Sequence, residues 1–466
     1  MTYPQSRDVV RKAGIRGSYG MAWPLDLPER FESLVNALDS MIRDDCAPQI
    51  ANVLRATLFA DLGVECCMLD LSVLLACHEL VRPITEASLE DTDVVRRNRV
   101  LRTVHGILDL LHEKGMRVSL PSDLSGEYER AIDRIHVASP GKERTDLMRR
   151  LYEGFMRAVS PGISDSMGVV YTPVEIIDAQ LHMIRRVLER DFDATFSDPW
   201  VNVMDGFAGT GIHFCRLIED PTLIADGSLP DRYLHGLRAN EIIPFSATLA
   251  AAGIEAACQR RTGTYVPFPG CQSADTLDDA SPRWKNDDMV RVIVGNPPYG
   301  TGFIGTHPRL ERRAMATYEP PANGARNGFL AALRWASDHI GAQGIVCFVT
   351  TARWIREPSY TRMRARLADE FDDIYVLDLR GDQEYHRGDR QHLIEEGGNV
   401  FGHHTRSPIA IVLLTRNPQH HGPARVHYHD CGSHLTVRDK KRFLERVAEQ
   451  DPEWAEPVPG IWTVRP

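Results

Sequence analysis

No apolar run in this chain approaches the ~20 residues a helix needs to span a bilayer. The N-terminus also lacks the charged-then-apolar layout of a secretory signal, so the cytoplasm is the expected compartment. Cysteine is sparse and unpatterned. The nine cysteines include no Cys-x-x-Cys pair and no disulfide-like spacing. Cys66, Cys67 and Cys77 therefore read as buried thiols in a reducing compartment. His403–His404, His420–His421 and His427 with His429 have neither matching cysteines nor a His-Glu-x-x-His context, and no metal site is assigned. A Walker A lysine pattern, internal repeats and low-complexity tracts are all missing. Positive charge is also in deficit: 54 Lys and Arg stand against 64 Asp and Glu, a net charge of −10. That balance argues against generalised nucleic-acid binding, although a local groove can still be basic. Arginines do gather after residue 308, at Arg309, Arg312, Arg313, Arg326, Arg353, Arg356, Arg362, Arg364 and Arg366. A solvated helix face is the default reading for each of them, and a nucleic-acid cleft the alternative.

The 466 residues present are enough for two or three domains. Helical spacing of apolar residues runs through 31–80, 98–112 and 143–159, with Pro24, Pro28 and Pro83 expected to interrupt it and 113–127 expected to be a connection. From about 160 the pattern changes. Short apolar strands at 200–205, 234–241, 291–295, 344–350, 373–379 and 409–415 alternate with helical stretches, which predicts an α/β sheet flanked by helices. The expected division is a helical domain over 1–160, an α/β domain over 161–416 and an extension over 417–466.

Two segments carry chemistry. The first, Val201 through Ile212, reads as a strand, a glycine-rich turn (Asp205-Gly206-Phe207-Ala208-Gly209-Thr210-Gly211) and a helix start. Glycine suits a turn where backbone must approach a ligand closely. The third glycine of the dinucleotide fingerprint is replaced by Phe214, so a dinucleotide is disfavoured. Glu241, at the end of the second strand, could accept from both ribose hydroxyls of an adenosine. Asp275, after the third, could accept from an adenine amine.

The second segment, Val292 to Gly300, delivers Asn296-Pro297-Pro298-Tyr299 from a β-branched strand, at the strand end where open α/β sheets bind ligands. The prolines stiffen the turn and remove donors, so carbonyls dominate its surface. An aryl amine is a poor nucleophile because its lone pair is delocalised into the ring. The Asn296 side-chain oxygen and the Pro297 carbonyl could each accept one amine hydrogen, redirecting that lone pair without a general base. Tyr299 could stack on the target base.

In this respect the chain resembles the gamma class of adenine-N6 DNA methyltransferases. Its Tyr171-Thr172-Pro173 element precedes the glycine loop, as in that class, and Asn-Pro-Pro-Tyr follows. Further stretches, including Gly344–Thr350, Ile374–Gly381 and Gly397–Gly402, are similar to the methyltransferase part of type ISP (single-polypeptide) restriction-modification enzymes and phage-defence methylases. The resemblance implies a Rossmann-like, S-adenosylmethionine-dependent methyltransferase domain preceded by the helical N-terminal domain. It implies that Thr172 helps hold the methionine carboxylate, that Asp205, Phe207 and Gly209 surround the cofactor, that Glu241 binds the ribose and that Asp275 meets the adenine. The full expected cofactor set is Tyr171, Thr172, Pro173, Asp205, Gly206, Phe207, Ala208, Gly209, Gly211, Glu241, Asp275 and Asn296. The expected catalytic set is Asn296, Pro297, Pro298 and Tyr299, acting on a flipped adenine in double-stranded DNA. The chain departs from the family in carrying Asp205-Gly206 where the family has Asp-Pro. Residues 417–466 would be a reduced or partner-completed target-recognition region, with other subunits of a defence system as candidate partners. Two other readings stay open: an RNA or protein-glutamine methyltransferase, and a DNA- or cofactor-binding subunit that needs partners for activity.

Overall fold

The structure is a computed structural model and describes residues 26–44, 47–115, 122–159, 172–278, 289–298, 306–321, 328–383, 390–402, 405–418, 422, 424–457 and 462. The helices α1 (Leu27–Asp44), α2 (Ala47–Leu62), α3 (Met68–Leu89), α4 (Val94–Arg97), α5 (Arg99–Glu113), α6 (Ser122–Val137) and α7 (Lys142–Val159) come first. They are followed by α8 (Val174–Asp191), β1 (Val201–Asp205), α9 (Ile212–Glu219), β2 (Leu237–Asn240), α10 (Pro244–Thr262), β3 (Cys271–Gln272) and β4 (Val290–Gly295). Next are α11 (Pro308–Tyr318), α12 (Gly328–His339), β5 (Gly344–Thr351), α13 (Arg353–Arg356), α14 (Thr361–Glu370) and β6 (Asp373–Asp378). The chain closes with α15 (Arg390–Glu396), β7 (Ile409–Arg416), β8 (Arg425–Asp430) and α16 (Val437–Glu449). Among the described residues no helix is long and apolar enough to cross a membrane.

Backbone contacts divide the chain into two compact units. One holds residues 1–166 with 243–273, and the other holds 167–242 with 274–466. Residues 243–273, expected inside the α/β domain, thus cluster with the N-terminal helices, and 417–466 cluster with the α/β unit.

In the first unit α5 shows why these segments are helical. Val100, Leu101, Val104, Ile107, Leu108 and Leu111 recur on one buried face. Asn98 caps it, its side chain accepting from Leu101 N at 2.9 Å, while Asn98 Nδ2 donates to the buried Glu255 of α10. Pro83 does not interrupt the chain as expected: α3 runs through it. An interior proline costs about 3 kcal/mol, and the burial of Leu80, Val81 and Ile84 around it supplies the packing that offsets this. Pro28 lies in the first turn of α1, where a missing N–H breaks no helical bond; Pro24 lies outside the described residues. The connection expected over 113–127 is shorter, because α6 already begins at Ser122. Cys77 is buried and its thiol is pushed well above its usual range by burial. His78 beside it is held neutral, pushed down to about 3 by burial and by His105.

In the second unit seven strands of the sheet stand in the order β2-β1-β4-β5-β7-β6-β8. β2, β1, β4 and β5 are mutually parallel, and β7 runs antiparallel between β5 and β6. Alternation along the strands serves two faces. Met204, Ile293, Val346, Phe348, Ile374 and Val412 pack with Phe329, Leu333 and Trp335 of α12 and Met363 and Leu367 of α14. On the opposite face α8 packs over β5 and β7 and buries Ile176, Ile177, Leu181 and Ile184. Both faces are covered, as a parallel sheet requires.

Candidate functional site

β1 runs to β2 on one side of the sheet, while β4 stands on its other side. The C-terminal ends of β1 and β4 therefore flank a topological switch point, where open α/β sheets form a crevice. Asp205 pairs in register with Val294, and Gly295 with Phe348. The glycine loop and the Asn-Pro-Pro turn thus leave neighbouring strands at the same level. They are also in near contact: a side-chain carbon built on Gly295 would lie 2.9 Å from Asp205 Oδ1.

The loop explains its own composition. Gly209 and Gly211 take left-handed φ values of 55° and 78°, which disfavour any residue with a Cβ. Ala208 N donates to Asn240 O at 3.0 Å, and Gly211 N to Ala208 O at 2.8 Å. Asp205 is 1% exposed, and Oδ1 accepts from Phe207 N at 3.0 Å. Its other oxygen lies 2.8 Å from His213 Nδ1. Phe207 stacks edge-on against Phe348. Gly206 answers the departure from Asp-Pro: a Cβ there would meet Thr276 Cγ2 at 2.8 Å, while Thr276 Oγ1 donates to Gly206 O. Glu241 reaches the loop, accepting from Gly209 N at 2.8 Å. Thr172 and Pro173 are buried at the entry to α8. Pro297 is buried and Asn296 and Pro298 are half-buried. Tyr171 and Tyr299 lie outside the described residues.

Asp275 brings in a residue that sequence reasoning missed. Its Oδ1 accepts from Leu277 N at 3.0 Å, and its Oδ2 lies 2.8 Å from His307 Nε2. Burial opposes the charged form of His307, but Asp275, Glu311 and Asp278 outweigh it and raise its pKa above the ordinary value of 6.5. A raised folded-state value means the stabilisation is fully present below the ordinary value and is lost as pH rises through the raised one. The stability gap between wild type and His307→Gln should therefore be wider near about pH 6 than near about pH 9. Thermal unfolding at both pH values checks this, and a pH-independent gap would exclude the ion pair.

The arginines after 308 are largely engaged within the unit. Arg356 holds Asp378 through two bonds and Glu396 through a third. Arg364 is buried, donating to Trp354 O and Glu357 O. Arg309 and Arg312 are exposed on α11, and Arg326 lies outside the described residues. His427 stacks on Tyr375 and lies 2.8 Å from Asp373 Oδ1, while His429 Nδ1 bonds Glu453 O. His403, His404, His420 and His421 lie outside the described residues.

Three solved structures are similar throughout this architecture. The chain matches DrdV in complex with DNA at a TM-score of 0.75 and 22% identity, covering 94% of this chain and 45% of that one. It matches LlaBIII, an ATP-dependent Type ISP restriction-modification enzyme bound to DNA, at 0.71 and 24%, covering 91% and 31%. A nuclease-deletion mutant of the Type ISP enzyme LlaGI, with a DNA substrate mimic, matches at 0.69 and 25%, covering 94% and 43%. The chain spans less than half the length of each. Among curated proteins no match is found. The fold is of the α/β, Rossmann-like methyltransferase class. Residues 143–371 match the family model of N-6 DNA methylases.

The loop fits the cofactor that such a domain implies, S-adenosylmethionine. Thr210 Oγ1 and Asn240 Nδ2 are buried polar atoms with no partner among the described residues. A polar nucleoside docked at the loop suits that shortfall. The left-handed Gly209 and Gly211 carry no side chain to bar a ligand from the loop, and the Glu241 and Asp275 carboxylates stand after β2 and β3.

Proposed function

We propose that the protein transfers a methyl group from S-adenosylmethionine to the N6 amine of adenine in DNA, within a cytoplasmic restriction-modification or phage-defence system. The observation that carries this reading is the level exit of the glycine loop and the Asn296-Pro297-Pro298 turn from adjacent parallel strands at the switch point. Thr172, the Gly206–Gly211 backbone, Glu241 and Asp275 would hold the cofactor, which supplies an electrophilic methyl group on a sulfonium. Asp205, turned to Phe207 N and His213, would shape the loop instead of touching the ligand.

The chain's own residues then do the rest. A target adenine leaves the duplex at a cost of a few kcal/mol. The Asn296 side-chain oxygen and the Pro297 carbonyl each accept one hydrogen of its amine, which turns the nitrogen lone pair out of the ring. Tyr299 stacks on the base. Positioning and lone-pair orientation supply most of the rate enhancement.

The test is tritiated methyl transfer from S-adenosylmethionine to unmethylated bacterial genomic DNA, followed by nucleoside analysis. The expected result is label in N6-methyladenine. Label confined to RNA or to protein glutamine, with none in DNA, would overturn the substrate assignment.

A further inference from the structure

The glycine loop and the Asn-Pro-Pro turn are joined by a buried chain of polar contacts that neither motif contains. Gln180 sits on α8, one turn beyond Ile176 and Ile177, and is wholly buried. Its Nε2 donates to Gly295 O at 3.3 Å and to Cys347 O at 3.1 Å. Two main-chain carbonyls fix which end of the amide is the donor, because carbonyl oxygens only accept. Gln180 Oε1 then faces His213 Nε2, 3.2 Å away, and that ring nitrogen is the donor of this bond. The opposite side of the same ring, Nδ1, lies 2.8 Å from Asp205 Oδ2, a contact that is an ion pair when the imidazole carries both protons. Asp205 Oδ1 in turn holds Phe207 N. The chain therefore runs from Gly295 O, next to Asn296, through Gln180, His213 and Asp205 into the glycine loop, and every side chain in it is at most 5% exposed.

A buried amide costs free energy unless its polar atoms are all engaged, and an apolar residue would pack among the isoleucines and leucines of α8 without that demand. A buried polar network of this kind favours one relative position of the parts it joins. Two turns that must present a methyl donor and an amine to each other gain from such a fixture, because misplacement by about 1 Å can cost about 100-fold in rate.

We propose that Gln180, acting through His213, is a positioning residue that sets the Asn296 turn against the cofactor loop. The kinetic arm of its test rests on the function proposed above; a second arm does not. Gln180→Met keeps the volume and removes the donors and the acceptor. It should lower kcat for methylation of genomic DNA by about tenfold or more, while the affinity for S-adenosylhomocysteine changes by less than about threefold. Independently of any activity, hydrogen exchange at the Phe207 amide should quicken by about tenfold, with the β5–β7 ladder unchanged. His213→Leu cuts the chain at its second link and keeps both Gln180 donor bonds. It should reproduce the faster Phe207 exchange with a smaller fall in kcat, and it carries the test should Gln180→Met fail to fold. Unchanged Phe207 exchange in whichever variant folds, or a kcat within about twofold in a folded Gln180→Met, would overturn the proposal. A wild-type protein that methylates no DNA would count against the proposed function alone and leave the exchange result decisive.

Discussion

Asn296→Ala is expected to abolish methyl transfer while leaving cofactor binding nearly intact. The loss should be at least about 100-fold in kcat, the scale on which single preorganised hydrogen-bonding groups act in reactions where charge develops. The side chain follows Gly295, the last residue of β4, and β4 is fixed on both edges by β1 and β5. Gln180 further anchors the Gly295 carbonyl. Truncation beyond the Cβ of Asn296 therefore removes one acceptor for the amine without releasing the turn that carries it. The cofactor loop leaves a different strand and is held by bonds to Asp205, Asn240 and Glu241. Its affinity for S-adenosylmethionine should change by less than about threefold. Isothermal titration and single-turnover transfer on the same preparation separate the two effects. A variant that transfers methyl groups at the wild-type rate would remove Asn296 from the chemistry, and a parallel loss of cofactor affinity would assign it to the binding loop.

Much of this was legible because the strands that carry the site are short, apolar and bounded by glycine or proline. β1 and β4 end in Asp205-Gly206 and Gly295-Asn296, and the register that brings those ends level follows from parallel pairing. What was not legible depends on parts far apart in sequence. His307 meets Asp275 across 32 positions, and nothing in the spacing of either residue announces the pair. Gln180 and His213 did leave a signal, a polar residue on each of two otherwise apolar helix faces. A lone buried polar residue, however, reads more readily as a satisfied core group than as a link between motifs. β8 escaped for a different reason. Only Tyr428 of Arg425–Asp430 is buried, so its apolar pattern is too thin to read. The strand is held by main-chain pairing with β6 and by Arg425 and His427 on Asp373. α16 could have been found: Thr436 and Asp439 form a capping box ahead of buried Phe443, Leu444 and Val447. Pro83 misled because local propensity argues for a break that the buried surroundings of α3 override.

The second large effect concerns the position where the chain departs from the Asp-Pro of the family it resembles. Restoring that proline, Gly206→Pro, should impair the protein, and even Gly206→Ala should. Either residue adds a Cβ at the place where Thr276 Cγ2 would stand 2.8 Å away. Thr276 cannot simply turn aside, because its hydroxyl donates to Gly206 O and rotation would break that bond. Overpacking of this kind costs about 1–3 kcal/mol, and the strain falls on the loop itself. Gly206→Ala is therefore expected to weaken S-adenosylmethionine binding by about tenfold or more, since each 1.4 kcal/mol is a factor of ten. Thr276→Ser supplies the decisive control. Serine drops the methyl group and keeps the hydroxyl, so it makes room for the Cβ and retains the bond to Gly206 O. Gly206→Ala combined with Thr276→Ser should recover most of the lost affinity, although Thr276→Ser alone gains nothing. A double-mutant cycle by isothermal titration measures the coupling, which neighbouring residues in contact place at about 0.5–3 kcal/mol. Strictly additive losses would mean that Gly206 is required by the loop's own backbone and not by Thr276. Strong coupling would mean that glycine at 206 and threonine at 276 are two halves of one packing solution, with the proline form requiring a smaller partner across the loop.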